Sequence, residues 1–135
     1  MGPQVPEQDT FDAVVRHLLT QGRRSMHVYI PDKPVFYGAD GLKDAAGHLI
    51  PESAYFAEME EHRLPMRLGR LRTPAAAVLE RQGHNVTLLY ACQLIHDDHS
   101  PSRWPLKLHS LARIFGLDRK VLHEFEHYRP YDRRA

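Results

Sequence analysis

The chain contains a single cysteine, Cys92. No intramolecular disulfide can close, and no cysteine-rich zinc or iron–sulfur site can form within one copy. A fold of 135 residues must then be held by burial of apolar side chains around one core. The means are present: 42% of the residues are hydrophobic and the formal net charge is +1. That balance excludes wholesale disorder, which needs lower hydrophobicity and a larger charge imbalance.

The core is to be sought in helical stripes. Phe11, Val14, Val15, Leu18 and Leu19 recur at helical spacing. They predict a helix from about Thr10, capped by Asp9 or Thr10 and closed by Gly22. Thr73-Pro74 opens a second helix, with Thr73 as cap and Pro74 at the first position. Asn85 caps a third, in which Val86, Leu89, Tyr90, Gln93, Leu94 and Asp97 share one side. A fourth runs from about Pro105 through Leu108, Leu111, Ala112 and Phe115 to Gly116. Asp118 caps a last one with Val121, Leu122 and Phe125 inward.

Residues 23–50 lack this periodicity. His27–Ile30 and Val35–Tyr37 predict two short strands joined at Pro31-Asp32-Lys33-Pro34. The fold class expected is therefore α+β: a small, mostly helical single domain with a two-stranded hairpin in its N-terminal half. Residues 10–128 form the domain, 1–9 a flexible lead and 129–135 a flexible basic tail.

No stretch reaches the ~18 apolar residues of a membrane span, and the N-terminus has no secretory pattern. A cytoplasmic location without membrane partners is the default. Residues 1–100 carry 10 basic and 13 acidic side chains, and residues 101–135 carry 8 and 4. The last third is thus modestly basic, which suits nucleic acid, an acidic partner or a solvated face.

Ten histidines are scattered through the chain. The densest polar cluster is His96-Asp97-Asp98-His99. A histidine followed by aspartate at a helix end resembles the metal site of HD phosphohydrolases, where imidazole and carboxylate hold a divalent ion. Such a site needs another histidine and aspartate, and His62 and Asp118 are the nominees. Neighbouring residues on a helix point about 100° apart, so His96 and Asp97 equally suit a polar helix end. His123 and His127 are spaced i, i+4 but lack the glutamate of the metallopeptidase motif. Cys92 lies in an apolar run, which predicts a buried, inert thiol.

Leu111–Leu117, followed by Val121, Leu122 and Phe125, resembles a helix-turn-helix segment over 107–127. Arg113, Arg119, Lys120 and His123 would be its DNA contacts, although Glu124 and Glu126 oppose phosphate.

Tyr37-Gly38-Ala39-Asp40-Gly41-Leu42-Lys43-Asp44-Ala45-Ala46-Gly47-His48-Leu49-Ile50-Pro51 carries a broader resemblance. It is similar to a segment in a family of small uncharacterised bacterial and phage proteins. The likeness extends to Tyr55, Met59-Glu60, His96-Asp97, Trp104 and Leu111–Leu117, within residues 10–120. Relatives often carry cysteine where this chain has Val35 and Asp44, a departure that weakens any thiol or metal role implied by the resemblance. The physical reading of the segment is structural: Gly41 and Gly47 permit turning and close approach.

The function expected is a non-enzymatic interaction or regulatory module that binds another protein or a second copy of itself. Tyr37, Asp40, Lys43, Asp44 and Tyr55 form the binding rim, near the aromatics Tyr29, Phe36 and Phe56. No cofactor is expected on that reading. DNA binding through 107–127 and metal-dependent phosphohydrolysis at His96 and Asp97 are the two alternatives.

Overall fold

The computed structural model describes residues 4–63, 67–68 and 71–131. The expected positions 1–3 of the lead and 132–135 of the tail lie outside the described residues. Helix α1 spans Glu7–Gln21, α2 Pro74–Arg81, α3 Val86–Asp98, α4 Trp104–Phe115 and α5 Lys120–His123. Four short 3-10 turns occupy the stretch between Ala39 and His62. The fold is a mostly helical single domain.

Helix α1 buries the predicted stripe Phe11, Val14, Val15, Leu18 and Leu19. It starts earlier than the Asp9 or Thr10 cap implied. Pro6 stands at the cap position, and its carbonyl accepts from Asp9 N and Thr10 N. Glu7 and Asp9 put negative charge at the positive end of the helix dipole. Thr10 is therefore inside the helix and buried, with its hydroxyl 2.8 Å from His84 Nδ1. Gly22 closes the helix in the left-handed conformation as expected.

The caps of α2 and α3 follow the sequence. Thr73 Oγ1 accepts from Ala76 N, and Asn85 Oδ1 accepts from Thr87 N and Leu88 N. Helices α1, α3 and α4 pack against one another, and α5 closes on α1. Trp104, Phe11, Leu18, Leu88, Leu89 and Leu108 fill the centre. The irregular segment adds Phe36, Ile50 and Met59 to the same cluster.

The predicted hairpin does not form, and the α+β class is corrected accordingly. His27–Ile30 and Val35–Tyr37 are not strands. The neck of this loop carries only an isolated bridge, Met26 with Pro34. Two causes act together. The His27 ring turns back so that Nδ1 accepts from Tyr29 N (3.0 Å) and Ile30 N (2.9 Å), which uses the donors a ladder needs. Val28, Tyr29 and Ile30 also point into solvent, so no sheet face is buried to reward pairing. The strand pairing present among the described residues lies elsewhere. It joins β1 (Arg67–Leu68) to β2 (Leu71–Arg72), antiparallel and two residues long, too short to make a layer.

No helix among the described residues is long and apolar enough to cross a membrane.

Candidate metal centre

Helix α3 carries a polar strip on its buried side. Gln93, His96 and Asp97 lie three and four residues apart, so they share a face. That face meets the irregular segment at Asp44, which is fully buried. Asp44 is held from its own backbone: Oδ1 accepts from Gly47 N at 2.7 Å, and its N–H donates to Phe36 O at 3.2 Å. The approach requires glycine at 47. A Cβ there would stand 2.2 Å from the Phe36 carbonyl oxygen and 2.9 Å from Asp44 Oδ1.

Gln93 joins the two segments. Its Nε2 donates to Asp44 Oδ2 (2.6 Å) and Asp97 Oδ1 (3.1 Å), while its Oε1 accepts from Ala46 N (3.0 Å). Arg63 enters from the end of the last 3-10 turn. Its guanidinium pairs with Asp44 and donates to Asp97 Oδ2 at 2.6 Å. Arg63 Nε has no hydrogen-bond partner. Glu60 Oε1, 3.8 Å from it, attracts it by charge alone. The Glu60 carboxylate accepts instead from Phe36 N, Tyr37 N and the Tyr55 hydroxyl.

The tautomer of His96 follows from its contacts. Ser25 N–H donates to Nε2 at 2.9 Å, so Nε2 holds the lone pair. Nδ1 then carries the proton and donates to Asp97 Oδ1 at 2.7 Å. The imidazole is neutral and wholly buried, and it stacks on Trp104 with centroids 5.5 Å apart.

The resulting charge balance is unequal. Asp44, Asp97 and Glu60 bring three carboxylates against one guanidinium, with every side chain at most 13% exposed. Burial is the largest influence on each of the two aspartates, and it acts to raise both. At Asp97 the His96 and Arg63 hydrogen bonds and the Arg63 charge outweigh it, and the carboxyl is lowered. At Asp44 burial prevails over Arg63 and the carboxyl is raised. For Arg63, burial opposes its charge, but the two aspartates overcome it and hold the guanidinium charged. One oxygen of Asp44, one oxygen of Asp97 and a nitrogen of His96 all lie within 4.8 Å of one another. Imidazole and carboxylates in such a cluster are the donor set of a divalent transition metal.

The structure thus brings His96 and Asp97 together, but not with the nominated partners. His62 is exposed and outside the cluster. Asp118 is also exposed; its carboxylate accepts from Lys120 N at 2.7 Å. Asp44 takes the place given to them. Asp44 is expected at the binding rim but is fully buried; of the rim residues, Tyr37, Lys43 and Tyr55 gather. Tyr37 stacks on Tyr55 at 4.0 Å, and Lys43 Nζ lies 4.5 Å from the Tyr37 ring centre. Asp40 turns toward Arg23 instead. Phe36 is buried in the core.

The helix-turn-helix expectation meets a different geometry. Helix α5 has four residues, with Val121 and Leu122 buried. One turn of helix cannot lie along a major groove as a recognition helix does. Glu124 is drawn to Arg16 of α1 at 2.8 Å.

Two further histidines meet beside this site. His17 and His48 stack with centroids 4.3 Å apart and planes 2° from parallel. His17 Nε2–H donates to Lys43 O, and His48 Nδ1–H donates to Ala45 O, each at 2.7 Å. Ring lone pairs lie in the ring planes, so two parallel rings do not converge on one ion. Cys92 is buried and its thiol is pushed up to about 12, so no thiolate is populated at neutral pH.

Arg63 and Gln93 were missed from the sequence. Gln93 left a trace, as the polar member of an apolar run four residues before Asp97. Arg63 left none.

The chain matches no protein-family profile, no curated protein and no solved structure.

Proposed function

We propose that this chain is a metal-binding domain that takes one divalent transition-metal ion between Asp44, His96 and Asp97. The observation that carries this reading is the convergence of three ligand atoms within 4.8 Å in a buried cluster whose carboxylates outnumber its cations. A buried negative excess is costly in a low-dielectric interior. It is relieved either by a proton on Asp44 or by a bound cation.

Two groups compete with the ion. Arg63 already pairs with both aspartates, and the Ser25 N–H fixes the proton of His96 on Nδ1. A metal ion displaces the first and releases the second. Binding therefore weakens as pH falls, because ligands must be deprotonated. Asp44 and His96 are fully buried, which suits an ion that holds two segments together better than one that meets a substrate. When bound at a site open to substrate, such an ion acts as a Lewis acid on a phosphoryl oxygen. The phosphohydrolase reading depends on that opening.

The test is metal analysis of chelator-free protein, followed by zinc and manganese titration with thermal denaturation as readout. One equivalent of bound metal is expected, with a raised melting temperature. Asp97→Asn should lose it, and Arg63→Met should bind more tightly than the wild type. No stoichiometric metal in any of the three proteins would reduce the cluster to an ion-pair network.

A second reading, self-association or protein binding, is supported by one observation. Val28, Tyr29 and Ile30 form an exposed apolar tip, with Tyr29 87% exposed. Sedimentation of wild type and Tyr29→Ser tests it. A dimer lost in the variant is the expected result, and identical monomers would dismiss self-association.

A further inference from the structure

On the side of the domain formed by α4 and α5, the structure holds a cleft of about 510 Å³. His109 of α4, the connecting residues Leu117, Asp118 and Arg119, and Lys120 and His123 of α5 line it. A second cleft of about 440 Å³ shares His109 and His123 with the first, and Pro105, Phe125 and Tyr128 line it further along. The two spaces thus meet at these two imidazoles. One end is cationic, and the other has aromatic and proline walls.

The charge in the first cleft is only partly neutralised, by the Lys120–Asp118 pair. Arg119, Lys120 and two imidazoles face a single carboxylate, Asp118. That carboxylate is already engaged by Lys120 N at 2.7 Å and lies 3.9 Å from Lys120 Nζ. Glu124, just after α5, is paired with Arg16 of α1. Glu126 lines only the second cleft. His109 is held below the ordinary imidazole range, by burial foremost and then by the Arg119 and His123 charges.

We propose that this double cleft binds a phosphate monoester, with the phosphate between His109, Arg119, Lys120 and His123 and an apolar, planar body against Pro105, Phe125 and Tyr128. Guanidinium, ammonium and imidazole N–H donors match a phosphate's oxygens with charge-assisted hydrogen bonds. An apolar wall next to a few convergent polar groups is the usual make-up of a small-molecule site. The proposal is independent of the metal centre, because no residue is shared with it.

The probe is phenyl phosphate, titrated at low ionic strength into the full chain and followed by ¹H–¹⁵N chemical shifts and calorimetry. Inorganic phosphate and a duplex DNA oligonucleotide serve as comparison arms. Phenyl phosphate should shift resonances clustered in residues 105–128 and bind about tenfold more tightly than inorganic phosphate. The double variant Arg119→Gln/Lys120→Gln should weaken it about tenfold or more, the scale of losing charge-assisted contacts. Both positions are exposed, so the fold survives, and an unchanged melting temperature verifies this. His109→Gln/His123→Gln should weaken binding as well.

Three results would overturn the assignment. One is no saturable shift with phenyl phosphate at millimolar concentration. Another is binding untouched by the Arg119/Lys120 variant. The third is duplex binding that phenyl phosphate does not displace, which would make the surface a nucleic-acid contact. Equal affinity for inorganic phosphate and phenyl phosphate would remove the apolar body from the proposal.

Discussion

Arg63 donates to Asp97 across 34 positions of sequence at 2.6 Å, and its other terminal nitrogen pairs with Asp44. One guanidinium thereby fastens the irregular segment to helix α3. Removing it strands two buried carboxylates without their counter-charge. Arg63→Met should cost about 3–5 kcal/mol, the range for breaking a buried ion pair from one side. Urea denaturation measures it. Zinc should restore a large part of the loss if the cluster takes a cation; no restoration would speak for a purely ionic tie.

His48 sets an acid limit on stability. Burial, and then the charge of His17 stacked on it, lowers its protonation to about 3. Its folded value lies below the unfolded value near 6.5, so the unfolded chain binds the proton first. Stability is then present above about pH 6.5 and is lost as pH falls from there toward 3. His17 and His84, lowered by burial as well, act in the same direction. The loss from His48 between pH 6.5 and 5 is on the order of 1–2 kcal/mol. His48→Asn keeps a donor at the position of Nδ1–H but cannot titrate. Its denaturation midpoint should change less between pH 7.5 and 5 than that of the wild type. Parallel curves would refute the assignment.

Gly47 and Gly41 separate space from backbone freedom. At Gly47 a methyl group meets the Phe36 carbonyl at 2.2 Å, and backbone cannot yield cheaply. Gly41 has φ +73 with nothing within 4 Å of an added Cβ, so alanine there meets only conformational strain of about 1 kcal/mol. Gly47→Ala should therefore destabilise more than twice as much as Gly41→Ala, and it should displace Asp44. Equal melting temperatures for the two variants would contradict the packing account.

Trp104 is the single tryptophan and is fully buried. Its Nε1–H donates to His99 O at 3.1 Å, and its ring stacks on His96. Its emission should be blue-shifted in the native state and, on the proposed metal-binding reading, should change on zinc addition, because the ion would bind the neighbouring ring. The change should vanish in Asp97→Asn. Trp104→Ala should lose about 3–5 kcal/mol from cavity formation, read by denaturation.

The helices were legible in the chain because their signals are local. The stripe Phe11–Leu19, the caps at Thr73 and Asn85 and the stops at Gly22 and Gly116 depend on neighbours within a turn or two. The hairpin at 27–37 was misread because strand signals there are equally local, whereas a strand needs a partner and a face to bury. Val28, Tyr29 and Ile30 found neither, and the His27 ring took the backbone donors of Tyr29 and Ile30. For the site, His96 and Asp97 stood out by adjacency, and Gly47 by its motif.

By itself, the sequence determined a disulfide-free, mostly helical domain, since helix periodicity and capping are written in short-range spacing. Only the tertiary structure decided that Asp44 and Arg63, rather than His62 and Asp118, complete the polar centre. Which distant polar groups meet depends on how the core brings residues 19 to 49 positions apart into contact, and no spacing rule encodes that. Burial pushes both Asp44 and Asp97 up, and the His96 and Arg63 contacts at Asp97 reverse the direction there, so the same residue type ends with opposite shifts.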